Sequence, residues 1–320
     1  MRSIIGMNPT PHTLAAAVIA AAFSGCVATH HATVPASIGV PSDVERMVAL
    51  LSTPGPVVLE SVDSAQWSVP LSGLLNLNHP TAKAAHLEDK AEPIVVPVHV
   101  LRHPDHGTFI IDTGVEEGLK TPSQSAVRGV VNTFFDLEKT MHVERSLKTV
   151  LAAESAPLAG VFLTHIHLDH VMGLPDVPRG TPIYAGPGET SPTSLENALV
   201  ASAYDRLFEG QAPLQEWRFD VAAADNAAGF KGIVDIFGDG SVFALWVPGH
   251  TPGSTAYLVR STTGPVLLTG DASHTRWGWD HDVEPGTYTA DAVAGRHSFD
   301  ALRAFAAAHT DIEVRVGHQR

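Results

Sequence analysis

The sequence predicts an α+β protein in which two β-sheets pack against each other between flanking helices, and three observations predict it. Apolar runs of strand length come first, polar helical patterns lie between, and strand-length runs return afterwards. Phe299, Leu302, Phe305 and Ala306 recur at helical spacing over 298–309, with Asp300 in the first turn, as on an amphipathic helix packed outside a sheet. Four of the apolar runs close on histidine or aspartate, which would gather those side chains where strands end. A chain of 320 residues with 44% hydrophobic content can bury one large core.

At the N-terminus, Arg2 precedes a small, apolar run over 14–23, followed by Ser24-Gly25-Cys26. This predicts a secretory signal over 1–28 ending in a lipobox-like site, with an apolar stretch too short to span a membrane. Cleavage before Cys26 with lipid on its thiol would make an exported bacterial protein, periplasmic or membrane-anchored. Ordinary cleavage after Ala28 and an unprocessed apolar helix are the alternatives, and Met7 is a second possible start. Residues 29–56, rich in proline and small residues with little periodicity, predict a flexible tether, leaving 57–320 as the folded domain. Cys26 is the single cysteine, which excludes an intrachain disulfide framework and any thiolate metal ligand in that domain.

Further along, 93–102 alternates as a strand, His103-Pro104-Asp105-His106-Gly107 reads as a turn, and 108–111 returns to complete a hairpin. His103 and His106 are read as turn residues. Between 114 and 156 lie polar helical patterns around Phe134-Phe135, an aromatic pair that would pack a helix on the core or roof a site. Val161-Phe162-Leu163 is a buried strand. A short strand at 182–185, a helix over 190–208 and a strand over 234–237 follow. The strand 242–247 turns through Pro248-Gly249 and His250 into a hairpin partner around Tyr257. The strand 265–269 closes through Gly270 on Asp271, and 312–316 closes through Gly317 on His318.

Directly after Leu163 stands Thr164-His165-Ile166-His167-Leu168-Asp169-His170. Three imidazoles and a carboxylate within six positions are what a divalent ion such as zinc requires. The alternative is solvated loop histidines in a chain that has 18. His165 and His167, two apart, point to one side, while Asp169 and His170 lie past the turn and can aim elsewhere, so one segment could serve two ions. His250, Asp271 and His318 offer further donors at matching strand ends.

The order His-x-His-x-Asp-His, then His, Asp and His, resembles the metallo-β-lactamase superfamily from about Pro93 to the C-terminus. Ile110-Ile111-Asp112-Thr113-Gly114 looks like that family's strand and turn leading into the active-site face. The resemblance implies an αββα sandwich of two mixed β-sheets flanked by helices, and two zinc ions per chain. His165, His167 and His250 would hold one ion, Asp169, His170 and His318 the other, and Asp271 would bridge them. A shared water, acidified to hydroxide, would attack a carbonyl while Asp169 passes the proton to the leaving group.

Fold alone does not choose the substrate. Asp271 argues against a β-lactamase, which lacks a bridging carboxylate. Glyoxalase II continues past this ligand set with a C-terminal helical domain, and flavodiiron proteins replace a motif histidine with glutamate and add a flavin domain, so neither is the class expected of this sequence. Leu267 to Thr275 resembles the N-acyl-homoserine-lactone lactonases, where Asp-Ala-Ser precedes a tyrosine that bonds the substrate carbonyl; this chain has His274 in its place. The expectation is that His274 donates that hydrogen bond as a catalytic and substrate-binding residue. Trp277 and Trp279 would form an apolar wall, and Phe134 and Phe135 would contact an acyl chain. The expected activity is zinc-dependent lactone opening, or alternatively hydrolysis of organophosphate triesters or of other esters and thioesters; a metal-holding sensor is the non-enzymatic alternative. A net charge of −14 without a basic cluster argues against a nucleic-acid partner.

Overall fold

Apolar side chains occupy both faces of most strands, so the chain must build three apolar layers. The computed structural model describes residues 29–319 except 122, 130–131, 133–135, 191–196 and 220–228. Its strands are β1 Thr33–Pro35, β2 Val40–Ser42, β3 Val58–Pro70, β4 Ala91–His103, β5 Gly107–Ile111, β6 His142–Val143, β7 Leu158–Phe162, β8 Ile183–Ala185, β9 Leu214–Glu216, β10 Ile233–Asp235, β11 Val242–Trp246, β12 Thr255–Ser261, β13 Gly264–Leu268 and β14 Glu313–Arg315. An eight-stranded sheet has the order β1-β9-β8-β7-β5-β4-β3-β6, and a six-stranded sheet has the order β14-β13-β12-β11-β10-β2. Both are mixed: β5, β7, β8 and β9 run parallel, as do β13 and β14, and the rest pair antiparallel apart from the parallel β1–β9 edge.

Strand periodicity of two distributes each strand between layers. On β7, Phe162 enters the layer between the sheets while Val161 faces the outer layer of the larger sheet. On β11, Val242 and Ala244 face inward while Phe243 and Leu245 meet Phe299, Leu302 and Phe305 of the helix Ala292–Ala308. Leu147, Val150, Tyr204 and Leu207 cover the opposite outer face from the helices Leu147–Ala152 and Asn197–Leu207. The result is the αββα sandwich expected from sequence. No helix among the described residues is long and apolar enough to cross a membrane.

The hairpin of β4 and β5 lies where it was expected, and Ala244 and Tyr257 pair across the turn that carries His250. Two expectations need correction. The segment 29–56 is not a tether: β1 pairs with β9, β2 pairs with β10, and the helix Val44–Ala49 buries Met47 completely. Three-residue edge strands containing Pro35 and Pro41 are too short to show periodicity, and prolines are tolerated at such edges. The long strand β3 was also invisible, because a bulge between Asp63 and Ala65 shifts its alternation out of phase. The segment expected to be a signal sequence and Cys26, the expected lipid acceptor, lie outside the described residues, as do Phe134 and Phe135.

Candidate metal centre

β5 and β7 are parallel neighbours, so their C-terminal ends deliver Asp112 and Thr164 side by side. Asp112 adopts the left-handed conformation, φ 55°, which aspartate tolerates better than most residues. Its Oδ1 accepts from Thr164 N at 2.8 Å, and its Oδ2 accepts from Thr164 Oγ1 at 2.9 Å and His170 Nδ1 at 2.8 Å. Thr113 donates through N and Oγ1 to His170 O at 3.0 and 2.8 Å. The loop 164–170 is therefore clamped at both ends, and the one-turn helix Leu168–Val171 carries Asp169 and His170 past the turn. Across the sheets, Thr255 N donates to Thr164 O and Tyr257 OH to Leu163 O, each at 2.8 Å, which docks the His250 hairpin onto this loop.

His165 Nε2, His167 Nδ1 and His250 Nε2 converge at mutual distances of 3.0, 2.7 and 3.1 Å, all buried. Three imidazole nitrogens around a tetrahedral zinc at about 2.0–2.1 Å would stand roughly 3.3 Å apart, so the spacing fits a cation. On the other side, His318 Nε2 lies 3.4 Å from Asp169 Oδ2, and His170 Nε2 lies 3.8 Å from Asp169 Oδ1. Between the groups stands Asp271 Oδ2, at 3.7 Å from His165 Nε2, 3.4 Å from those of His170 and His250, and 3.2 Å from those of His274 and His318. His170 Nε2, His274 Nε2 and Asp271 Oδ1 are buried without a hydrogen-bond partner. Unpaired polar atoms in a dry site are costly, and a pair of divalent ions would satisfy them. Gly317 is required here, because a Cβ would stand 2.3 Å from Asp271 Oδ1.

The ring atoms facing away from the centre set the tautomers. His318 Nδ1 donates to Val95 O at 2.9 Å, His170 Nδ1 to Asp112, and His165 Nδ1 to Thr164 Oγ1 at 3.1 Å, whose own proton goes to Asp112. Each turns its Nε2 inward, the nitrogen that metal ligation would use. Charge divides the site. Burial, and repulsion from neighbouring imidazoles, holds His165 and His250 well below the usual histidine range, and burial lowers His167 to about 4. Burial also disfavours charge on His170 and His318, but Asp271 and its fellow carboxylates prevail, raising His170 well above its ordinary value and His318 to about 9. Asp271 is itself buried, yet the surrounding imidazoles, His318 foremost, hold it well below the carboxylate range.

Sequence reading missed Glu189. Buried behind the first group, it accepts from Thr251 Oγ1 at 2.5 Å, Gly253 N at 2.8 Å and Ile166 N at 2.9 Å, tying the His165–His167 loop to the His250 turn. Burial pushes its carboxyl up to about 7. Nothing in Gly188-Glu189-Thr190 marks it in sequence, since its partners are backbone and hydroxyl groups from distant loops.

The remaining expected site residues fare differently. His274 is at the centre: its Nδ1 donates to Leu74 O at 2.9 Å, which leaves Nε2 facing Asp271 Oδ2 at 3.2 Å. Trp279 packs against Phe299 in the outer core, and Trp277 stacks on His281 at 4.3 Å; neither lines the cleft over the histidines. That cleft is narrow, and its apolar lining comes from Val69, Leu74, Ile94 and Tyr288. His103 Nε2 approaches Asp239 Oδ2 at 2.9 Å beside His106. His103 Nδ1, however, accepts from Asp105 N and His106 N, so Nε2 carries the proton and lacks the lone pair a ligand needs.

Known proteins share this organisation. The family model of the metallo-beta-lactamase superfamily matches residues 91–318. A protein of Agrobacterium fabrum named N-acyl homoserine lactonase AttM is 29% identical over 227 residues, covering 70% of this chain and 82% of that protein. Gamma-lactamase FDB1 of Fusarium pseudograminearum is 26% identical over 187 residues, 53% of this chain and 41% of that protein. Among solved structures, a quorum-quenching N-acyl homoserine lactone lactonase superposes with TM-score 0.56 at 18% identity, covering 83% of this chain and 93% of the other. The dizinc quorum-quenching lactonase AidC gives 0.54 at 15% identity, covering 89% and 92%.

Proposed function

We propose, from the premise that this chain belongs to the metallo-beta-lactamase superfamily, that it is a hydrolase opening lactone rings with two zinc ions, N-acyl homoserine lactones being its leading substrates. The observation that carries this reading is the ring of imidazole nitrogens around Asp271 Oδ2, which brings histidines from four strand ends within 3.7 Å of one buried oxygen. His165, His167 and His250 would hold one ion, Asp169, His170 and His318 the other, and Asp271 both. Bound there, divalent ions supply a water acidified to hydroxide near neutral pH and a Lewis acid for an ester carbonyl.

The chain's own residues account for the rest. Asp112, Thr164 and Val95 O hold imidazole lone pairs inward. Asp169, with Oδ2 3.4 Å from His318 Nε2, accepts a proton and returns it to the departing ring oxygen. Val69, Leu74, Ile94 and Tyr288 offer an acyl chain an apolar rim. The names of the relatives support the substrate class. Ring-opening assays on short- and long-chain N-acyl homoserine lactones, run beside paraoxon and a β-lactam, test the reading, with lactones expected to turn over fastest. Faster hydrolysis of paraoxon would transfer the assignment to phosphotriesters. Elemental analysis is expected to find about two zinc ions per chain.

Export is part of the same reading, with Cys26 as the lipid acceptor and the protein periplasmic or membrane-anchored. Intact mass of the protein recovered from cells tests this: a diacylated N-terminal cysteine is expected, and a mature start elsewhere without lipid would remove the anchor.

A further inference from the structure

His274 carries out none of the steps above, yet it is as central as any residue that does. The geometry points to His274 Nε2 as an additional ligand of the metal pair, beyond the seven side chains already assigned. This inference rests on the two-ion reading of the same site.

Four observations carry it. The ring is 1% exposed, and its Nδ1 proton is committed to Leu74 O at 2.9 Å, so Nε2 is the ring atom left to coordinate. That atom lies 3.2 Å from Asp271 Oδ2, as near as His318 Nε2 and nearer than His165, His170 or His250. It has no hydrogen-bond partner although it is buried. Its backbone is zipped to that of His318: Gly317 N donates to Ser273 O at 2.9 Å and His318 N to His274 O at 3.1 Å, and the two rings lie 11° from parallel.

Two lone pairs facing each other at 3.2 Å in a dry site repel, and a shared cation reverses the sign of that interaction. The contrast with His103 is instructive. There Nδ1 accepts from backbone N–H groups and the proton sits on Nε2, facing Asp239, the opposite tautomer. Because His274 lines the cleft, its ligation would occupy coordination space on the side from which substrate enters. A lactone carbonyl would then have to share or displace it.

The test uses the full chain and zinc itself. Chelator competition on wild type, His274→Phe and His274→Ala is expected to show two ions in wild type and, in both variants, one ion held at least about tenfold more weakly. Circular dichroism of the metal-free proteins checks folding. Wild type labelled with 15N-histidine and loaded with 113Cd supplies a measurement that needs no variant: a one-bond cadmium–nitrogen coupling is expected at His274 Nε2. Absence of that coupling, with both ions held at unchanged affinity in the variants, would overturn the inference and leave the two-ion site standing. If wild type binds only one ion, the two-ion reading fails, and the coupling still decides whether His274 ligates that ion. If both variants misfold, the coupling decides alone.

Discussion

Where His165, His167 and His250 meet, nitrogen faces nitrogen; where Asp169, His170 and His318 meet, nitrogen faces carboxylate. The first group is a set of neutral imidazoles whose proton affinities burial has depressed, while in the second the carboxylates overcome burial and keep protons on the rings. The supports behind them differ in the same sense. Asp112 bonds an imidazole of the second group directly, whereas Glu189, among the described residues, bonds backbone and a hydroxyl behind the first, and burial raises its carboxyl to about 7. A metal site can thus be built in a buried place either by withholding protons from its ligands or by holding protons that the metal displaces.

The largest expected effect erases the comparison. Asp271→Ala removes the only carboxylate common to both groups, and turnover should fall by on the order of a thousandfold or more; elemental analysis should show both ions lost or loosely held. Separating the groups comes next. His167→Ala should empty the first and His170→Ala the second, so metal content should drop from about two to about one in each. Loss of both ions in either variant would mean that the groups bind as a unit.

The supports should give smaller, one-sided effects. Asp112→Asn keeps the shape but weakens the acceptor behind His170, so the second ion should bind about 10–100-fold more weakly while the first is spared. Glu189→Gln replaces an acceptor oxygen with an NH2 that meets a backbone N–H, and should lower stability by about 1–3 kcal/mol with little change in metal affinity; thermal unfolding with and without zinc separates these. A large loss of affinity at the first site would make Glu189 more than a tie between loops.

The smallest effect is in protons. With His318 raised to about 9 and His170 raised well above its ordinary value, loading the second group near neutral pH should release protons from both rings, and its apparent affinity should climb with pH at least until about 9. His167, lowered to about 4, holds no proton near neutrality, so the first group's affinity should be flat from about pH 5 upward. Calorimetry in buffers of different ionisation enthalpy measures the difference. The sign for stability follows from the same shift. His318's folded value lies above its unfolded value of about 6.5, so its contribution to the metal-free protein is full below that pH and is lost as pH rises through about 9.

The runs 161–163, 242–247, 265–269 and 312–316 were legible because each is followed, two or three positions on, by a ligand-type side chain. Trp277 and Trp279 misled because proximity in sequence to Asp271 says nothing of direction: the helix Arg276–His281 turns them toward Phe299 and His281. Glu189, Tyr288 and Leu74 O could not be found at all, since each acts through partners far away in the chain.

Local chemistry, carried by the sequence itself, determined the sandwich class, the strands that end at the site and the six ligand-type residues gathered around Asp271, because periodicity and strand-end turns are properties of neighbouring residues. The tertiary structure alone decided which ring nitrogen of each histidine faces the centre, which imidazoles burial keeps neutral, and that His274 turns its Nε2 toward Asp271. Those outcomes depend on carbonyls, carboxylates and burial supplied by residues as distant as Leu74 and Val95, and the proton on an imidazole goes wherever those remote partners place it.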